Sequence, residues 1–136
     1  MRVYRTLQGA AVFRVNKDVK VTMIELEVAG VKPVDRKYRY RYSKYFKILD
    51  EMENNLGINK ENRYISKNMT CYLRSKPVIC RLYLTPDKKF AKYVVLASFQ
   101  PGVISKLARE LGEMGWKKMF LLEITTKRSH MIGRFR

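Results

Sequence analysis

Short runs in which apolar and polar side chains alternate fill the first part of the chain and predict β-strands. Residues 2–15 and 19–28 are each expected to form a strand, and residues 16–18 supply typical turn chemistry between them. Residues 30–35 contain Gly and Pro and are expected to form a loop. Residues 37–42 alternate aromatic with basic side chains, which predicts a third strand.

Two later segments carry apolar residues at helical spacing. The first, residues 44–56, is expected to form a helix that Ser43 caps and Gly57 ends. The second follows Pro101, which favours the first turn of a helix, and stops at Gly115. Both segments are expected to be scaffold helices rather than helices that read a DNA groove.

The segments between and after these helices predict further strands. Residues 69–73 and 78–84 are expected to pair as a hairpin around a turn at residues 74–77. Residues 90–99 carry apolar side chains on both faces, which is typical of a central strand. Residues 119–125 show the same doubly apolar pattern and are expected to form the last strand.

The resulting order, βββαβββαβ, predicts an α+β domain with a single mixed or antiparallel sheet and two helices packed on one face. If the two strands of the final strand–helix–strand unit lie in one sheet and run parallel, their crossover is expected to be right-handed. The pattern over residues 38–125 also fits a variant of the ferredoxin-like βαββαβ arrangement with one extra strand. We expect one domain over residues 1–126 and a basic C-terminal tail over residues 127–136.

The net charge of the chain narrows the choice of partner. Lys and Arg number 29 against 12 Asp and Glu, which gives a net charge of +17. Such an excess opposes compaction by self-repulsion, and a polyanion relieves that repulsion with release of counterions. Nucleic acid is the usual polyanion for a compact basic domain, and acidic lipid is the alternative. A secreted cationic protein is the third interpretation. The remaining alternative is a merely soluble basic protein, for example one from a thermophile.

The segment RKYRYRYSKYFK, residues 36–47, interleaves basic and aromatic side chains. As a strand it would place three tyrosines on one face and three basic residues on the other. Exposed tyrosines can stack on unpaired bases while arginines hold phosphates, which favours single-stranded DNA or RNA over duplex DNA. In the alternative interpretation the tyrosines pack under a helix, and only the basic residues contact a ligand.

Other basic clusters extend this prediction. Lys88, Lys89 and Lys92 border a predicted turn, and Lys117 and Lys118 follow a tryptophan. The residues predicted to bind nucleic acid come from the interleaved segment, from the loop that follows the first helix, and from the tail. They are Arg36, Lys37, Tyr38, Arg39, Tyr40, Arg41, Tyr42, Lys44, Arg63, Lys67, Lys127, Arg128, Arg134 and Arg136.

The two cysteines are placed by the predicted hairpin. If Ser75 and Lys76 are the central turn residues, Cys71 faces Cys80 across the two strands, near the reach of a disulfide. Because disulfides are rare inside cells except in hyperthermophiles, two buried free thiols are the favoured alternative. Two cysteines and one distant histidine do not make the pattern of a zinc site.

Catalytic chemistry has little support in the sequence. There is no phosphate-binding glycine loop and no nucleophile–base pair, so we predict no enzyme, no cofactor and no metal. The alternative is a metal-dependent nuclease, which needs two or three carboxylates converging on a metal. Its candidate ligands are Glu25, Glu27, Asp87 and Glu123.

The sequence therefore predicts a non-enzymatic nucleic-acid-binding protein of low sequence specificity. A structural component of a nucleoprotein particle, ribosomal or viral, is the alternative, and a homo-oligomer is compatible with either. No apolar segment reaches the roughly 18 residues of a spanning helix, and the first residues lack a secretory leader. We accordingly expect an intracellular protein, or one carried inside a virion, that does not bind membranes.

Overall fold

The computed structural model describes residues 7–34, 46–57 and 63–123. Within these ranges, three helices and six strands follow the order βαβαβββαβ. They are β1 (Gly9–Asp18), α1 (Val19–Val28), β2 (Val31–Pro33), α2 (Phe46–Leu56), β3 (Ile65–Leu73), β4 (Lys76–Leu84), β5 (Phe90–Ser98), α3 (Val103–Glu113) and β6 (Lys117–Glu123).

The six strands form one sheet in the order β2-β3-β4-β5-β1-β6, with every neighbouring pair antiparallel. The predicted α+β class is therefore confirmed, and the sheet is antiparallel rather than mixed. Strands β5 and β6 both pair antiparallel with β1, so they run parallel to each other with β1 between them. Helix α3 connects these two strands, which meets the condition under which the sequence predicted a right-handed crossover.

The segment predicted as the second strand, residues 19–28, is instead helix α1. Asp18 caps it, because its carboxylate accepts a hydrogen bond of 2.8 Å from the backbone N–H of Lys20. Leu26 is buried, whereas Ile24 and Val28 are 52% and 71% exposed, so the three do not share a strand face. Local β-propensity favoured a strand, but the cap and one-sided burial stabilise a helix.

The helices cover both faces of the sheet, so the prediction of two helices on one face was wrong. Helices α1 and α3 pack on one face with a core that includes Phe13, Leu96 and Trp116. Helix α2 packs on the other, which we call the α2 face, with a core that includes Ile79 and Val95. Strand β4 is buried at every position from 78 to 84, and such a strand requires cover on both sides.

The turn of the β3–β4 hairpin is shifted by one residue from the predicted position. Leu73 pairs with Lys76, so the turn consists of residues 74 and 75. Consequently Cys71 pairs with Val78, and the predicted direct pairing of Cys71 with Cys80 was wrong. Both cysteines are free and buried, and burial raises the pKa of the Cys71 thiol to about 12.

The two edge strands also differ from prediction. Strand β2 lies within residues 30–35, which were expected to be a loop. Strand β6 lies at the other edge, where Met119 is 51% exposed, so it is not the doubly buried strand that its apolar pattern predicted.

The central strand predicted over residues 90–99 is confirmed, and the two predicted helices are present as α2 and α3. Gly57, with φ 69°, follows α2 as expected. Strand β1 lies between β5 and β6 in the sheet. The ferredoxin-like arrangement over residues 38–125 requires a strand at residues 37–42, which lie outside the described residues.

Candidate nucleic-acid interface

One end of the sheet collects cationic side chains from distant parts of the sequence. At this end β1 and β4 finish while β3, β5 and β6 begin, as the pairings of Arg14 with Lys117, Asp18 with Phe90 and Ile65 with Leu84 require. We call it the basic end. Among the described residues we define it by eight cations on these strands or on the segments that flank them, leaving aside Lys17, which pairs with Glu25, and Lys20 on α1. The eight are Arg14, Arg63, Lys67, Lys88, Lys89, Lys92, Lys117 and Lys118.

Seven of these eight side chains are exposed, so their charge faces solvent. The eighth, Lys92, is half-buried and donates a hydrogen bond of 2.8 Å to the Oδ1 of Asn16 on β1. The carboxylates of Asp18, Asp87 and Glu113 lie at the same end and are outnumbered. An excess of exposed cations in one region raises the local concentration of anionic ligands.

The two turn carboxylates at the basic end already have local partners. Asp87 accepts hydrogen bonds from the Thr85 hydroxyl at 2.6 Å and from the Lys89 backbone N–H at 2.9 Å. These bonds, that from Thr85 foremost, lower the pKa of the Asp87 carboxyl. Asp18 caps α1. Both side chains therefore stabilise turns that carry the neighbouring cations.

A row of aromatic and cationic residues crosses the α2 face at the basic end. Tyr83 pairs with Tyr93, Tyr93 with Arg14, and Arg14 with Lys117, so all four side chains lie on the same face of adjacent strands. The row runs from buried Tyr83, through half-buried Tyr93, to the two exposed cations. The rings of Tyr64 and Tyr93 meet edge to face, with centroids 5.6 Å apart.

Behind the basic end, an ion pair ties three elements together. The Nζ of Lys17 on β1 donates to Glu25 on α1 at 2.7 Å, and also to the backbone carbonyl of Met114 at 3.1 Å. The indole N–H of Trp116 donates to the same carboxylate at 2.6 Å. Partial burial acts to raise the pKa of Glu25, but the bonds from Lys17 and Trp116 outweigh it and lower the pKa.

A buried arginine holds helix α2 against the sheet. Arg81 on β4 is 5% exposed and donates to Asp50 at 2.6 Å, to Asn68 at 2.7 Å and to the carbonyl of Phe46 at 3.2 Å. It also lies 3.3 Å from the buried carboxylate of Glu53. The guanidinium thus links helix α2, from Phe46 to Glu53, to strands β3 and β4.

The same cluster contains the buried hydroxyl of Tyr83, which donates to Glu53 at 2.8 Å. Burial raises the pKa of Tyr83 well above its usual value, so the phenol stays protonated. Burial acts to lower the pKa of Arg81, but its interactions with Tyr83 and Asp50 raise it overall. Each charged side chain of the cluster has a partner within it, which indicates a structural role.

The carboxylates considered as nuclease ligands do not meet. Glu25 and Glu27 lie on helix α1, where residues two apart do not face each other. Glu123 accepts hydrogen bonds from the backbone N–H groups of Gly102 at 2.7 Å and Ser105 at 3.3 Å, so it caps helix α3. Across the described residues no group of three His, Cys, Asp or Glu side chains is placed to hold a metal.

The structure locates only part of the predicted binding set. Arg63 and Lys67 are exposed at the basic end, as a ligand contact requires. The remaining predicted residues, Arg36 to Tyr42, Lys44, Lys127, Arg128, Arg134 and Arg136, lie outside the described residues. Sequence reasoning missed Arg14 and Tyr93, because each lies in an apolar strand where nothing local marks it as a surface residue.

None of the helices within the described ranges is long and apolar enough to cross a membrane. No family model, no curated protein and no solved structure matches the chain, so its function has to be inferred from the site itself.

Proposed function

We propose that this protein is a non-enzymatic nucleic-acid-binding protein of low sequence specificity and that it binds through the basic end. The observation that carries the proposal is the convergence of eight cations, from four separate stretches of sequence, at one end of the sheet. Such a surface attracts the phosphate groups of a nucleic acid whatever its sequence. The counterions that the phosphates release on binding supply most of the binding free energy.

Low specificity follows from the kind of groups that converge. Six of the eight cations are lysines, which contact phosphates as flexible point charges and do not read base edges by fixed geometry. Helices α1 and α3 pack Leu26 and Leu107 into the core, and the eight cations of the basic end lie on strands or on the segments that flank them. This arrangement supports contact with a backbone rather than insertion of one recognition helix into a groove.

The test compares two triple variants that lose the same charge at opposite ends of the sheet. In the first, Lys88, Lys89 and Lys117 at the basic end are replaced by Gln. The matched control replaces Arg74, Lys76 and Lys106, which surround the β3–β4 turn and the start of α3. Fluorescence anisotropy with labelled 20-nucleotide DNA, RNA and duplex DNA, between 50 and 200 mM salt, gives the affinity and its salt slope.

The basic-end variant should have a shallower slope of log affinity against log salt, by about 2, since each lost phosphate contact removes about 0.7–0.9. The control should keep the slope of the unmodified protein. Equal losses in both variants would place the interface elsewhere. Binding that does not depend on salt, or no binding to any polynucleotide, would overturn the proposal.

A further inference from the structure

An open pocket of about 630 Å³ lies at the basic end, within the usual size range of small-ligand sites. It is lined by Arg63, Tyr64, Ile65, Thr85, Pro86 and Lys92. Nothing in the charge pattern alone required a cavity here. Its position between the start of β3 and the β4–β5 turn gives the basic end a concave site as well as a charged surface.

Hydrogen bonds and ring contacts of neighbouring residues hold the walls of the pocket. The Thr85 backbone N–H donates to the carbonyl of Phe90 at 2.9 Å, which closes the β4–β5 turn. The Thr85 hydroxyl donates to Asp87, which fixes the residues on either side of Pro86. On the opposite wall, the ring of Tyr64 is held edge to face against Tyr93. The pocket is therefore formed before any ligand arrives.

The lining combines apolar surface with positive charge. The ring of Tyr64, the ring of Pro86 and the side chain of Ile65, which is 37% exposed, offer faces for a planar apolar group. Arg63 and Lys92 place two cations at the same site. Lys92 uses one donor on Asn16, and an ammonium has two more protons to donate.

We propose that this pocket binds one unpaired nucleotide, with the base against Tyr64 and Pro86 and the phosphate held by Arg63 and Lys92. The inference rests on the proposed function, because it names the class of nucleic acid that the basic end takes. A base inside a duplex is covered on both faces by its neighbours and cannot enter without being unstacked. The pocket therefore selects single-stranded DNA or RNA over duplex DNA.

The chemistry of the lining also indicates weak discrimination among bases. The Thr85 hydroxyl already donates to Asp87 and accepts a hydrogen bond from the backbone N–H of Phe90 at 3.2 Å, so it has no proton left to donate to a base edge. Every base has an aromatic face, so stacking on Tyr64 tolerates any sequence. This agrees with the low specificity proposed for the surface as a whole.

The test uses Tyr64→Ala, with Tyr64→Phe to retain the ring. Tyr72→Ala is the matched control, because Tyr72 is an exposed tyrosine near the far end of β3, the strand that Tyr64 immediately precedes. Anisotropy is measured with a labelled 20-nucleotide thymidine strand, an abasic strand of equal length, and a duplex. Tyr64→Ala should bind the thymidine strand about 5- to 150-fold more weakly, the range expected for loss of one stacked base. Tyr64→Phe and Tyr72→Ala should bind as the unmodified protein does, and the abasic strand should not distinguish any of the variants.

The outcomes separate this inference from the proposed function. If the unmodified protein binds no polynucleotide, the proposed function fails. If it binds strands with a steep salt dependence but Tyr64→Ala binds them equally well, or if duplex binds as tightly as single strand, the pocket inference is wrong and the proposed function stands.

A second measurement on the unmodified protein covers the case in which Tyr64→Ala does not fold. Photo-crosslinking with a 5-iodouracil strand, followed by trypsin and mass spectrometry, should label the peptide Tyr64–Lys67, which cleavage after Arg63 and Lys67 releases. Labelling confined to other peptides would overturn the inference.

Discussion

Replacing the buried Arg81 gives the sharpest test of how the α2 face is held together. Arg81→Met keeps most of the side-chain volume and removes the charge from a site that is 5% exposed. The loss of the bond to Asp50 should matter little, since that carboxylate is 59% exposed and water can solvate it. The larger effect concerns Glu53, which is 9% exposed and would keep only the Tyr83 hydroxyl as its partner.

An uncompensated buried charge of this kind typically costs about 3–5 kcal/mol of unfolding free energy. We therefore expect Arg81→Met to destabilise the protein by about that amount in urea denaturation at pH 7. Adding Glu53→Gln in the same chain should recover a large part of the loss, because the double variant leaves no buried charge without a partner. Arg109→Met, which removes an exposed arginine on α3, is the matched control and should change stability by no more than about 0.5 kcal/mol.

Two results would refute this reasoning. A cost below about 1 kcal/mol for Arg81→Met would mean that Glu53 finds another partner or that water reaches it. A double variant no more stable than Arg81→Met would mean that the guanidinium acts through packing, rather than through the charge it matches.

Two further substitutions test other parts of the fold. Glu25→Gln should cost about 1–2 kcal/mol at pH 7 and less at pH 3.5. The pKa of Glu25 is lowered in the folded protein, so its contribution to stability is present at neutral pH and declines on acidification. Urea denaturation at both pH values measures this, and an equal cost at both would contradict it. Gly30→Ala should destabilise the protein by at least about 1–2 kcal/mol, because Gly30 has φ +95° and an added Cβ would lie 2.8 Å from a methyl of Leu73. Gly112→Ala, whose added Cβ would have nothing within 4 Å, should stabilise the protein by about 0.5–1 kcal/mol in the same assay. Equal effects of the two substitutions would show that backbone conformation does not decide the outcome.

The Arg81 cluster also bears on the segment that first indicated a nucleic-acid partner. The hydrogen bond from Arg81 to the carbonyl of Phe46 fixes the first residue of α2. The basic and aromatic residues 36–45 directly precede this residue in the sequence. Phe46 itself is buried in the core of the α2 face. The sequence interpretation divided RKYRYRYSKYFK into a basic–aromatic half and the start of a helix, and the burial of Phe46 agrees with that division.

Local pattern was sufficient wherever an element has one buried face and clear end signals. Helix α3 has its apolar stripe at helical spacing between Pro101 and Gly115, and helix α2 ends before Gly57, so both were predictable. Strand β5 carries apolar residues on both faces, which correctly predicted its central place in the sheet. Net charge and composition do not depend on the fold, and they predict a polyanionic partner, which the binding assays above test.

The tertiary structure decided the features that depend on contacts between distant residues. Residues 19–28 combine β-branched side chains with acidic ones, and only the Asp18 cap and the burial of Leu26 against the sheet make them a helix. The β3–β4 turn lies one residue earlier than predicted, and this position sets the register of the hairpin. As a result, Cys71 is not directly opposite Cys80.

The candidate site shows the same division. The sequence contained the basic clusters at residues 63–67, 88–92 and 117–118, but nothing in it indicated that these separate segments lie close together in space. Antiparallel pairing brings strand ends that are far apart in sequence to one end of the sheet, and this adds Arg14 and Tyr93 from apolar strands. The sequence by itself determined which charges the protein carries. Only the register of the sheet decided that these charges lie together at one end of the sheet, beside a pocket. Strand pairing depends on two segments at once, so neither segment alone predicts it.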